Sequence, residues 1–410
     1  MPTAAFFHDE RFTLDRDGTW WSCGALPYRA FARYLAHFDR VVVVARMEPG
    51  DGRGRSLASG PGVEFACVPS GLALPRYAAA LAARAREVLA RADGAVVRMP
   101  GLAGVVGCRE ALRRGTPWMA EVVGDAFEAL WNHGSWRGKA AAWPMLLLNR
   151  HYLARAPRSI YVTREHLQRR YRPRGEWVAA SNVMIEPPRP EVLERRLARI
   201  AAAAPGQPFT FGLIGSYDVR YKGHATALEA LARLRQAGIP AALRCIGVGE
   251  AAPWRARAAA LGLAEQVTLA GPLPQGAGVL GWLDGLDACV APSLTEGLPR
   301  ALIEAMSRAL PAVGSTAGGI PELLEPRWLH RPGDAAGLAE RLALLARSPG
   351  TQAAAARRNW EAAANHAWPA LEARRDALVR RFRAEVEARR AGAAGGARAP
   401  PGAAHQVPAR

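Results

Sequence analysis

The sequence contains little cysteine, almost no lysine and no long apolar segment. Its five cysteines, Cys23, Cys67, Cys108, Cys245 and Cys289, are scattered along 410 residues and form no CxxC pair. An odd number of scattered cysteines argues against a zinc cluster or a disulfide framework. The same pattern favours a compartment in which thiols stay reduced.

The missing apolar segments also bear on location. A membrane-spanning helix needs roughly 18–20 apolar residues, and the longest candidate, residues 140–148, is far shorter and contains a proline. The chain does not begin with a basic stretch followed by an apolar one, as a secretory signal would. We therefore expect a cytoplasmic protein, with the inner face of the plasma membrane as the alternative position.

Lysine supplies only two of the 54 basic residues, Lys139 and Lys222, while Asp and Glu together number 36. The formal net charge of +18 favours anionic partners, namely nucleotides, acidic lipid surfaces or nucleic acid. A GC-rich genome explains the arginine and alanine bias as well, which leaves a merely solvated surface as the alternative. No helix-turn-helix, zinc finger or interleaving of aromatic and basic residues is present in the sequence, so we expect no specific nucleic-acid partner.

Short apolar runs alternate with amphipathic stretches over most of the chain. Half of the residues are hydrophobic and 22% are charged, which is a globular composition, and the length suffices for two or three domains. Residues 41–45 form a β-branched run typical of a buried parallel strand, and the alternation restarts near residue 209. We predict an α/β protein of two doubly wound, Rossmann-like domains that face a central cleft.

Proline-rich breaks at residues 185–190 and 205–208 indicate where the two domains meet. The prediction that follows is an N-terminal domain, a linker, a C-terminal domain, a last helical stretch and a disordered tail rich in Ala, Gly, Pro and Arg. These segments cover residues 1–190, 191–207, 208–350, 351–390 and 391–410.

The segment 287–307 carries the most chemical information. It places Glu296 in a polar loop after a buried strand, and Pro299 in the first turn of the next helix, where proline is tolerated. In an open α/β sheet, ligands bind beyond the carboxyl ends of the strands. The amides of Gly297 and Leu298 would stand at the helix N-terminus, where an anion is stabilised.

Glu304 lies further along that helix and has two interpretations. Arg300 and Arg308 stand four residues away on either side, and the apolar face of the helix lies elsewhere. Helix geometry alone therefore favours a surface glutamate in ion pairs, each worth about 0.2–0.5 kcal/mol. The distance of eight residues from Glu296, however, is the E-x7-E spacing.

That spacing and the residues around it resemble a known family. The Glu-Gly-Leu-Pro and Glu-Ala-Met sequences, with Gly318-Gly319-Ile-Pro321-Glu322 downstream, are similar to the family 4 retaining glycosyltransferases of GT-B fold, also called group 1 glycosyl transferases. The resemblance is dense over residues 287–322, weaker over 209–345 and thin over the N-terminal half. It implies a GT-B fold in which the C-terminal domain binds a nucleotide sugar and the N-terminal domain binds the acceptor.

The resemblance also implies roles for the acidic pair and for the loop between them. Glu304 is expected to hydrogen-bond the ribose hydroxyls of the nucleotide, because a carboxylate accepts from both hydroxyls of a cis-diol. Glu296 is expected near the donor sugar, and Gly297, Leu298 and Pro299 are expected to contact sugar hydroxyls or phosphate.

A second segment is expected to hold the diphosphate. Where many members of the family have Gly-Arg after the first strand of this domain, the chain has Gly215-Ser216, and Arg220 would supply the missing charge from the same loop. Lys222 is one of only two lysines and is expected to act as a compact point charge; the alternative is a solvated lysine at a helix start. Side-chain cations and helix amides would then stabilise the departing diphosphate.

No metal and no cofactor are expected beside the donor. The D-x-D sequence Asp15-Arg-Asp17 lies in a charged loop, and we interpret it as a solvated turn rather than a metal site. In the acceptor domain, Gly24 matches part of the family's glycine-rich loop in this region. The family's histidine near the strand at residues 117–123 is missing, which leaves Asp125 as the nearest polar candidate and His133 as a second one.

The function that the resemblance implies is a retaining transferase of the hexosyltransferase type (EC 2.4). Its partners would be a nucleotide-diphosphate-sugar donor, a lipid-linked or saccharide acceptor, and an anionic membrane surface, in the synthesis of bacterial cell-surface polysaccharide or glycolipid. Its last helix would cross back to the N-terminal domain, with Trp368 as an anchor. The alternatives are a GT-B nucleotide-sugar epimerase and a catalytically inactive relative that binds sugar nucleotides.

Overall fold

Two β-sheets, each flanked by helices, organise the chain. The computed structural model describes residues 2–22, 26–132, 135–204, 206–274 and 276–396. Strands and helices alternate along both halves, and the described part confirms the predicted α/β class with two doubly wound halves. The reason is visible in the sequence, since runs such as Val41 to Ala45 are apolar on both faces and must be covered by helices on both sides.

The first sheet lies in the N-terminal half. Its strands are β1 (Thr3–Leu14), β2 (Trp20–Ser22), β3 (Arg40–Pro49), β4 (Ser56–Leu57), β5 (Val63–Phe65), β6 (Val68–Pro69), β7 (Gly94–Met99), β8 (Trp118–Val122), β9 (Arg158–Tyr161) and β10 (Glu176–Ala179). The accompanying helices are α1 (Tyr28–Leu35), α2 (Leu74–Arg91), α3 (Leu102–Arg114), α4 (Ala126–Trp131), α5 (Trp136–Leu153) and α6 (His166–Arg170). The parallel strands run in the order β10-β9-β8-β7-β1-β3, whereas β2 pairs antiparallel with β1 and β4.

The second sheet follows helix α7 (Pro190–Ala201). Its strands are β11 (Phe209–Ile214), β12 (Ala241–Ile246), β13 (Val267–Ala270), β14 (Ala288–Ala291), β15 (Ala312–Ser315) and β16 (Leu329–His330). Its helices are α8 (His224–Gln236), α9 (Ala252–Ala260), α10 (Ala277–Asp284), α11 (Arg300–Ser307) and α12 (Ala335–Arg347), and α13 (Pro349–Ala364) and α14 (Trp368–Gly396) end the described chain. The parallel order β13-β12-β11-β14-β15-β16 is that of a doubly wound sheet, whose ligand site lies where the strand order reverses.

Strand β1 extends beyond its neighbour β7, which pairs only with residues 4–7 of β1. It pairs with β3 as far as Leu14 and Pro49, with a register shift between Phe7 and Arg11. Trp20 belongs to β2, and its ring stacks on Phe65 at 4.7 Å. The paired strands β1 and β3 therefore place the loop between β3 and β4 beyond the end of β7.

The segment predicted as a linker is largely helical. Within residues 191–207, α7 buries Val192 and Ile200, and the side chain of Arg196 donates hydrogen bonds to the carbonyls of Leu283 and Leu286. Its buried positions recur at intervals of four residues, which is the spacing of one helix face. The helix packs on the C-terminal half instead of serving as an extended connection.

The last helical stretch is divided in two and reaches the first sheet. Helix α14 begins at Trp368, whose ring lies 5.5 Å from the guanidinium of Arg29 and 5.2 Å from that of Arg33. Further along, Phe382 is fully buried and packs on Phe38 with ring centroids 5.7 Å apart. Helix α14 thus lies against the N-terminal half, although α13 packs on the C-terminal half through α11 and α12.

The expected start of the disordered tail was wrong. Helix α14 continues to Gly396, because residues 388–394 are Ala- and Arg-rich and both residue types favour helix. The rest of that prediction, residues 397–410, lies outside the described residues. In the part of the chain that the structure describes, no helix combines the length and the apolar composition needed to cross a bilayer.

Arg375 is the charged residue that attaches α14 to the first sheet. Its side chain is 1% exposed, donates to the carbonyl of Ala180 at 3.0 Å and forms an ion pair with Glu372 at 2.6 Å. Replacement of a buried, paired cation leaves its partners without hydrogen bonds. We expect Arg375→Ala to lower the free energy of unfolding by about 3 kcal/mol, measured by urea denaturation.

The exposed neighbour Arg374 provides the matched control for this measurement. Arg374→Ala should change the free energy of unfolding by no more than about 0.5 kcal/mol. Equal effects of the two substitutions would show that α14 is not held by its buried arginine.

Candidate active site

A cavity of about 740 Å³ lies at the carboxyl ends of the second sheet, at the point where the strand order reverses. Residues from β11, β12, β14 and the start of α11 form most of its wall, and residues 54–56 of the N-terminal half reach it from the other side. The predicted residues on its wall are Gly215, Ser216, Lys222, Glu296, Leu298, Pro299 and Glu304. The fold therefore brings together residues that are far apart in sequence.

Lys222 and Glu296 form an ion pair on the wall of this cavity. The Lys222 Nζ lies 2.6 Å from Glu296 Oε1, and the hydroxyl of Ser293 donates to the same oxygen at 2.9 Å. Burial alone would lower the pKa of Lys222, but the carboxylate of Glu296 outweighs that effect and raises the pKa above its ordinary value. The ammonium therefore stays charged, and a bound anion can share it with Glu296.

A glycine positions Lys222. The lysine ends a short 3-10 turn, Arg220–Lys222, and the chain then passes through Gly223 with φ of +82°. A Cβ at Gly223 would overlap with the carbonyl oxygen of Pro292, which ends the strand before Glu296. Only glycine combines that backbone conformation with that close approach, so the two loops lie directly against each other.

Glu304 lies in α11 and its carboxylate faces the cavity wall rather than bulk solvent. Burial raises the pKa of Glu304 above its usual range, and the positive charge of Arg300 opposes that shift only in part. Arg308, the other expected partner, instead binds Asp284 through two hydrogen bonds of 2.7 Å. The surface interpretation of Glu304 is therefore wrong, because the neighbouring loops cover the polar side of this short helix.

Arg220 does not reach the cavity. Its side chain is exposed at the start of the 3-10 turn, and the residues that line the cavity include Arg300 instead. The 3-10 turn explains the difference, since it directs Lys222 inward and Arg220 outward. A second cation therefore faces the site, but it comes from the first turn of α11.

Residues 54–56 form the N-terminal wall of the cavity, and the sequence reasoning missed them. Gly54 and Arg55 lie on the loop between β3 and β4, Ser56 begins β4, and Arg55 forms a 2.7 Å ion pair with Glu48. The available signal was the alternation of glycine and arginine in residues 52–55. The glycine that we expected on this side, Gly24, lies outside the described residues.

Asp125 has a structural role and is not on the cavity wall. Its carboxylate caps α4 by accepting from the amides of Phe127 and Glu128, accepts from the hydroxyl of Tyr171 at 3.1 Å and pairs with Arg170 at 2.6 Å. Oδ1 accepts the three hydrogen bonds and Oδ2 pairs with Arg170, so both carboxylate oxygens already have partners inside the domain. The second candidate, His133, lies outside the described residues.

Asp125, Glu128 and His166 form the one group, within the described ranges, whose ligand atoms lie close enough to hold a metal ion. Arg170 already neutralises the carboxylate of Asp125, and Glu128 accepts a 2.8 Å hydrogen bond from Thr295. Two of the three carboxylate and imidazole groups therefore already have partners, and the Glu128–Thr295 hydrogen bond joins the two halves of the chain.

The two halves meet through backbone as well as side chains. A Cβ at Gly297 would overlap with the carbonyl oxygen of Val123, and the amide of Gly319 donates to the carbonyl of Gly297 at 2.7 Å. On the same side, Glu322 accepts from the backbone amides of Arg164 and His166, at 2.6 and 2.8 Å. The Gly297 loop is therefore enclosed between Val123 on one side and the 318–319 turn on the other.

The far end of the cavity is apolar and flat. Its wall there consists of Ile246, Gly247, Val248, Pro272, Leu273, Pro274 and Val279. A Cβ at Gly247 would overlap with the carbonyl oxygen of Gly215, so β11 and β12 end in close contact. The wall of the cavity thus combines an apolar surface, the half-buried carboxylate of Glu304 in α11 and the cations Lys222 and Arg300.

His224 stands behind Lys222 at the start of α8. Its ring is 1% exposed and lies between Tyr217 and Trp254, with ring centroids 5.3 and 5.1 Å away. Neither ring nitrogen has a hydrogen-bond partner in the described part of the chain. Burial, and secondarily the charge of Lys222, lowers the pKa of His224 to about 4.

Comparisons with known proteins agree with this geometry. Residues 208–348 match the family described as Glycosyl transferases group 1. Over 335 residues the chain is 29% identical to Protein CapJ of Staphylococcus aureus, which covers 80% of this chain and 82% of that protein. Over 128 residues it is 41% identical to the amylovoran biosynthesis glycosyltransferase AmsK of Erwinia amylovora, which covers 29% of this chain and 31% of that protein.

Solved structures are similar over nearly the whole chain. Sucrose-phosphate synthase from Thermosynechococcus elongatus superposes with a TM-score of 0.67 at 18% identity, covering 94% of this chain and all of that one. HepE of Anabaena, solved in complex with UDP-glucose, superposes with a TM-score of 0.62 at 17% identity and covers 96% of this chain and all of that one.

The fold and the site together define a two-sheet α/β enzyme of the GT-B class, with its cavity between the two halves. The chain is a glycosyltransferase, a transferase of EC class 2.4.

The close contact at Gly297 generates a prediction. Gly297→Ala places a methyl group against the carbonyl of Val123, so we expect a loss of about 2 kcal/mol in the free energy of unfolding. Gly271→Ala is the matched control, because a Cβ at Gly271 meets no atom within 4 Å. Urea denaturation of both variants measures the difference, and equal midpoints would contradict the contact.

The buried ring of His224 predicts an acid-sensitive stability. Its folded pKa of about 4 lies below the ordinary value of 6.5, so the unfolded chain binds the proton first. Stability from this group is complete above pH 6.5 and falls as the pH drops towards 4. Between pH 7 and pH 4, we expect the free energy of unfolding of His224→Phe to fall less than that of the unmodified protein, by about 3 kcal/mol at most.

The measurement is the free energy of unfolding of both proteins at several values of pH between 7 and 4. His366, whose pKa burial also lowers to about 4, is present in both proteins, so the difference between them reports His224 alone. Parallel stability curves for the two proteins would refute the assignment.

Proposed function

We propose that this enzyme is a family 4 retaining glycosyltransferase that transfers a hexosyl or related group from a nucleoside-diphosphate sugar to a hydroxyl acceptor. The observation that carries the proposal is the single cavity of about 740 Å³ whose wall contains Glu304, the Lys222 and Glu296 pair and the apolar strand ends. Each part of a nucleotide sugar has a chemically matched surface there. HepE, a structural neighbour, was solved with UDP-glucose, which supports a donor of this kind.

Glu304 would bind the ribose of the donor. Its carboxylate is buried in the wall of the cavity beside Leu302 and Ala301, and it offers only acceptor atoms to a ligand. Two vicinal hydroxyls of a ribose would supply the two donors that such a group needs when water is displaced. The nucleobase would then lie on the apolar strand ends of Ile246 and Val248.

Lys222 and Arg300 would hold the diphosphate. Lys222 is charged and already within 2.6 Å of a carboxylate oxygen, so phosphate oxygens can take over part of that interaction. Negative charge develops on the diphosphate as the bond to the sugar breaks, and fixed cations stabilise it most at that moment. We propose no metal and no cofactor for this step, because these two cations supply the positive charge.

Glu296 and the 297–299 segment would position the sugar. Glu296 is oriented by Lys222 and Ser293 and lies on the cavity wall with Leu298 and Pro299. In our proposal the acceptor hydroxyl attacks the anomeric carbon from the face that the diphosphate leaves, which retains the configuration, and no protein nucleophile is assigned. The enclosed Gly297 loop would help to exclude water from the sugar.

The acceptor would be lipid-linked or a saccharide, and the reaction would take place on the cytoplasmic face of the membrane. The names of relatives such as the amylovoran biosynthesis glycosyltransferase AmsK support a role in cell-surface polysaccharide or glycolipid synthesis. The net charge of +18 favours contact with anionic lipid, as the acceptor would require.

The donor site is tested by thermal shift with UDP, GDP and ADP. A ligand that binds only the folded protein raises the melting temperature, by an amount that grows with its concentration over Kd. We expect one diphosphate to do so in the unmodified protein, and Glu304→Ala to weaken its affinity by about tenfold or more, since the variant loses charge-assisted hydrogen bonds. Glu265→Ala, an exposed substitution in the same half, is the control and should bind normally.

If no nucleotide shifts the melting temperature, or if Glu304→Ala binds as well as the control, the proposed donor site is refuted. The sugar nucleotide of the preferred base is then incubated with enzyme and candidate acceptors. Free donor that returns with an inverted sugar carbon would identify an epimerase, and binding without any turnover would identify an inactive relative.

A further inference from the structure

Helix α5 is apolar on two opposite sides. One side is buried through Ala142, Leu146 and Leu153, where α5 packs on α4 and α3. On the opposite side, Trp136 is 75% exposed and Leu147 is 61% exposed. An ordinary surface helix is polar on its exposed side, whereas the exposed side of α5 also carries large apolar residues.

The exposed apolar residues form one continuous surface. Trp143 and Leu147 follow Trp136 by seven and eleven residues, which is about two and three helical turns. The three side chains therefore lie along one line of the helix surface. Trp131 of α4 joins them through Phe127, whose ring contacts both Trp131 and Trp143 at 5.2 and 4.9 Å. We call the exposed set the Trp face; its members are Trp131, Trp136, Trp143 and Leu147.

Positive charge surrounds the Trp face. The 36 residues between Glu128 and Glu165 contain no acidic residue. Lys139 lies over the ring of Trp131 at 5.5 Å, and Arg137 lies over the ring of Trp136 at 5.6 Å. The apolar residues therefore occupy the middle of the outer side, with exposed cations along its margins.

We infer that the Trp face is a docking surface for an anionic lipid bilayer. An interfacial helix places Trp and Leu at the level of the headgroups and directs Lys and Arg to the lipid phosphates. A second copy of the chain fits less well, because a two-fold contact through this face would bring Arg137, Lys139 and Arg150 of both copies together. The bilayer supplies both the apolar phase and the negative charge that this surface lacks.

The position of the Trp face suits the delivery of a lipid-linked acceptor, an inference that rests on the proposed function. Trp131 ends the same short helix on which Glu128 contacts Thr295 of the other half. Three residues of helix span about 4.5 Å, so the membrane-facing side lies next to the contact between the two halves. A lipid-linked acceptor in the bilayer would thus be held beside the opening between them.

The test is cosedimentation of the full chain with vesicles of phosphatidylcholine alone and of phosphatidylcholine mixed with phosphatidylglycerol. We expect binding to the mixed vesicles, and a decrease of about tenfold or more in Trp136→Ser/Leu147→Ser, since both burial and headgroup contact are lost. The control for apolar exposure is Leu74→Ser/Leu344→Ser, two exposed leucines elsewhere, which should bind normally.

A second pair of variants separates local charge from net charge. Arg137→Gln/Lys139→Gln/Arg150→Gln removes three cations at the Trp face, and Arg233→Gln/Arg347→Gln/Arg357→Gln removes three exposed cations from the other half. Both keep the same net charge, so only the first should lose about tenfold or more of its vesicle affinity. Equal losses would mean diffuse attraction by the whole protein and would overturn the proposal.

The remaining outcomes are equally decisive. No sedimentation of the unmodified chain overturns the proposal, as does a dimer that Trp136→Ser/Leu147→Ser dissociates while vesicle binding is unchanged. Nucleotide binding is measured on the same variants and should be unchanged, because none of the substituted residues lines the donor cavity. Vesicle binding without nucleotide binding would refute the proposed function and leave the docking surface in place.

Discussion

The site depends on a contact between backbones that only glycine permits. The loop after β14 passes between Val123 of the N-terminal half and the turn at Gly318 and Gly319, and a Cβ at Gly297 or Gly318 would overlap with a carbonyl oxygen. This close approach sets the position of Glu296 one residue earlier. The Lys222 pair and the contact of Glu322 with the N-terminal half lie on either side of this loop.

Lys222 and Glu296, the ion pair on the cavity wall, can each exchange the other for a ligand group. Lys222 is paired with Glu296, and Ser293 donates a hydrogen bond to the same carboxylate, so these two charges offset each other before a ligand enters. A diphosphate would change that balance by binding the cations and leaving Glu296 to contact the sugar. By contrast, Asp125 is occupied by Arg170 and Tyr171, and it serves the architecture rather than the ligand.

Sequence reasoning predicted the α/β class and the double winding correctly, because hydrophobic periodicity is a local property. It brought the E-x7-E pair, Lys222 and Gly215 to attention, and the structure places these residues on one cavity. It failed at Arg220, which the 3-10 turn directs outward, and it missed Arg55, which lies on the loop after β3, where β1 and β3 extend beyond β7. The two failures have different causes: a local turn for Arg220 and the pairing of strands that are distant in sequence for Arg55.

The sequence by itself determined the α/β class, the alternation of strands and helices in both halves, and which residue types are available for an anion and a diol. The tertiary structure decided which of them meet. Helix geometry alone would leave Glu304 at the surface, yet the loops around α11 enclose it, since burial depends on elements far away in the chain. Likewise, the apolar run at residues 140–148 is only a short segment in sequence, and burial of its other side, where α5 packs on α4 and α3, is what turns Trp143 and Leu147 outward.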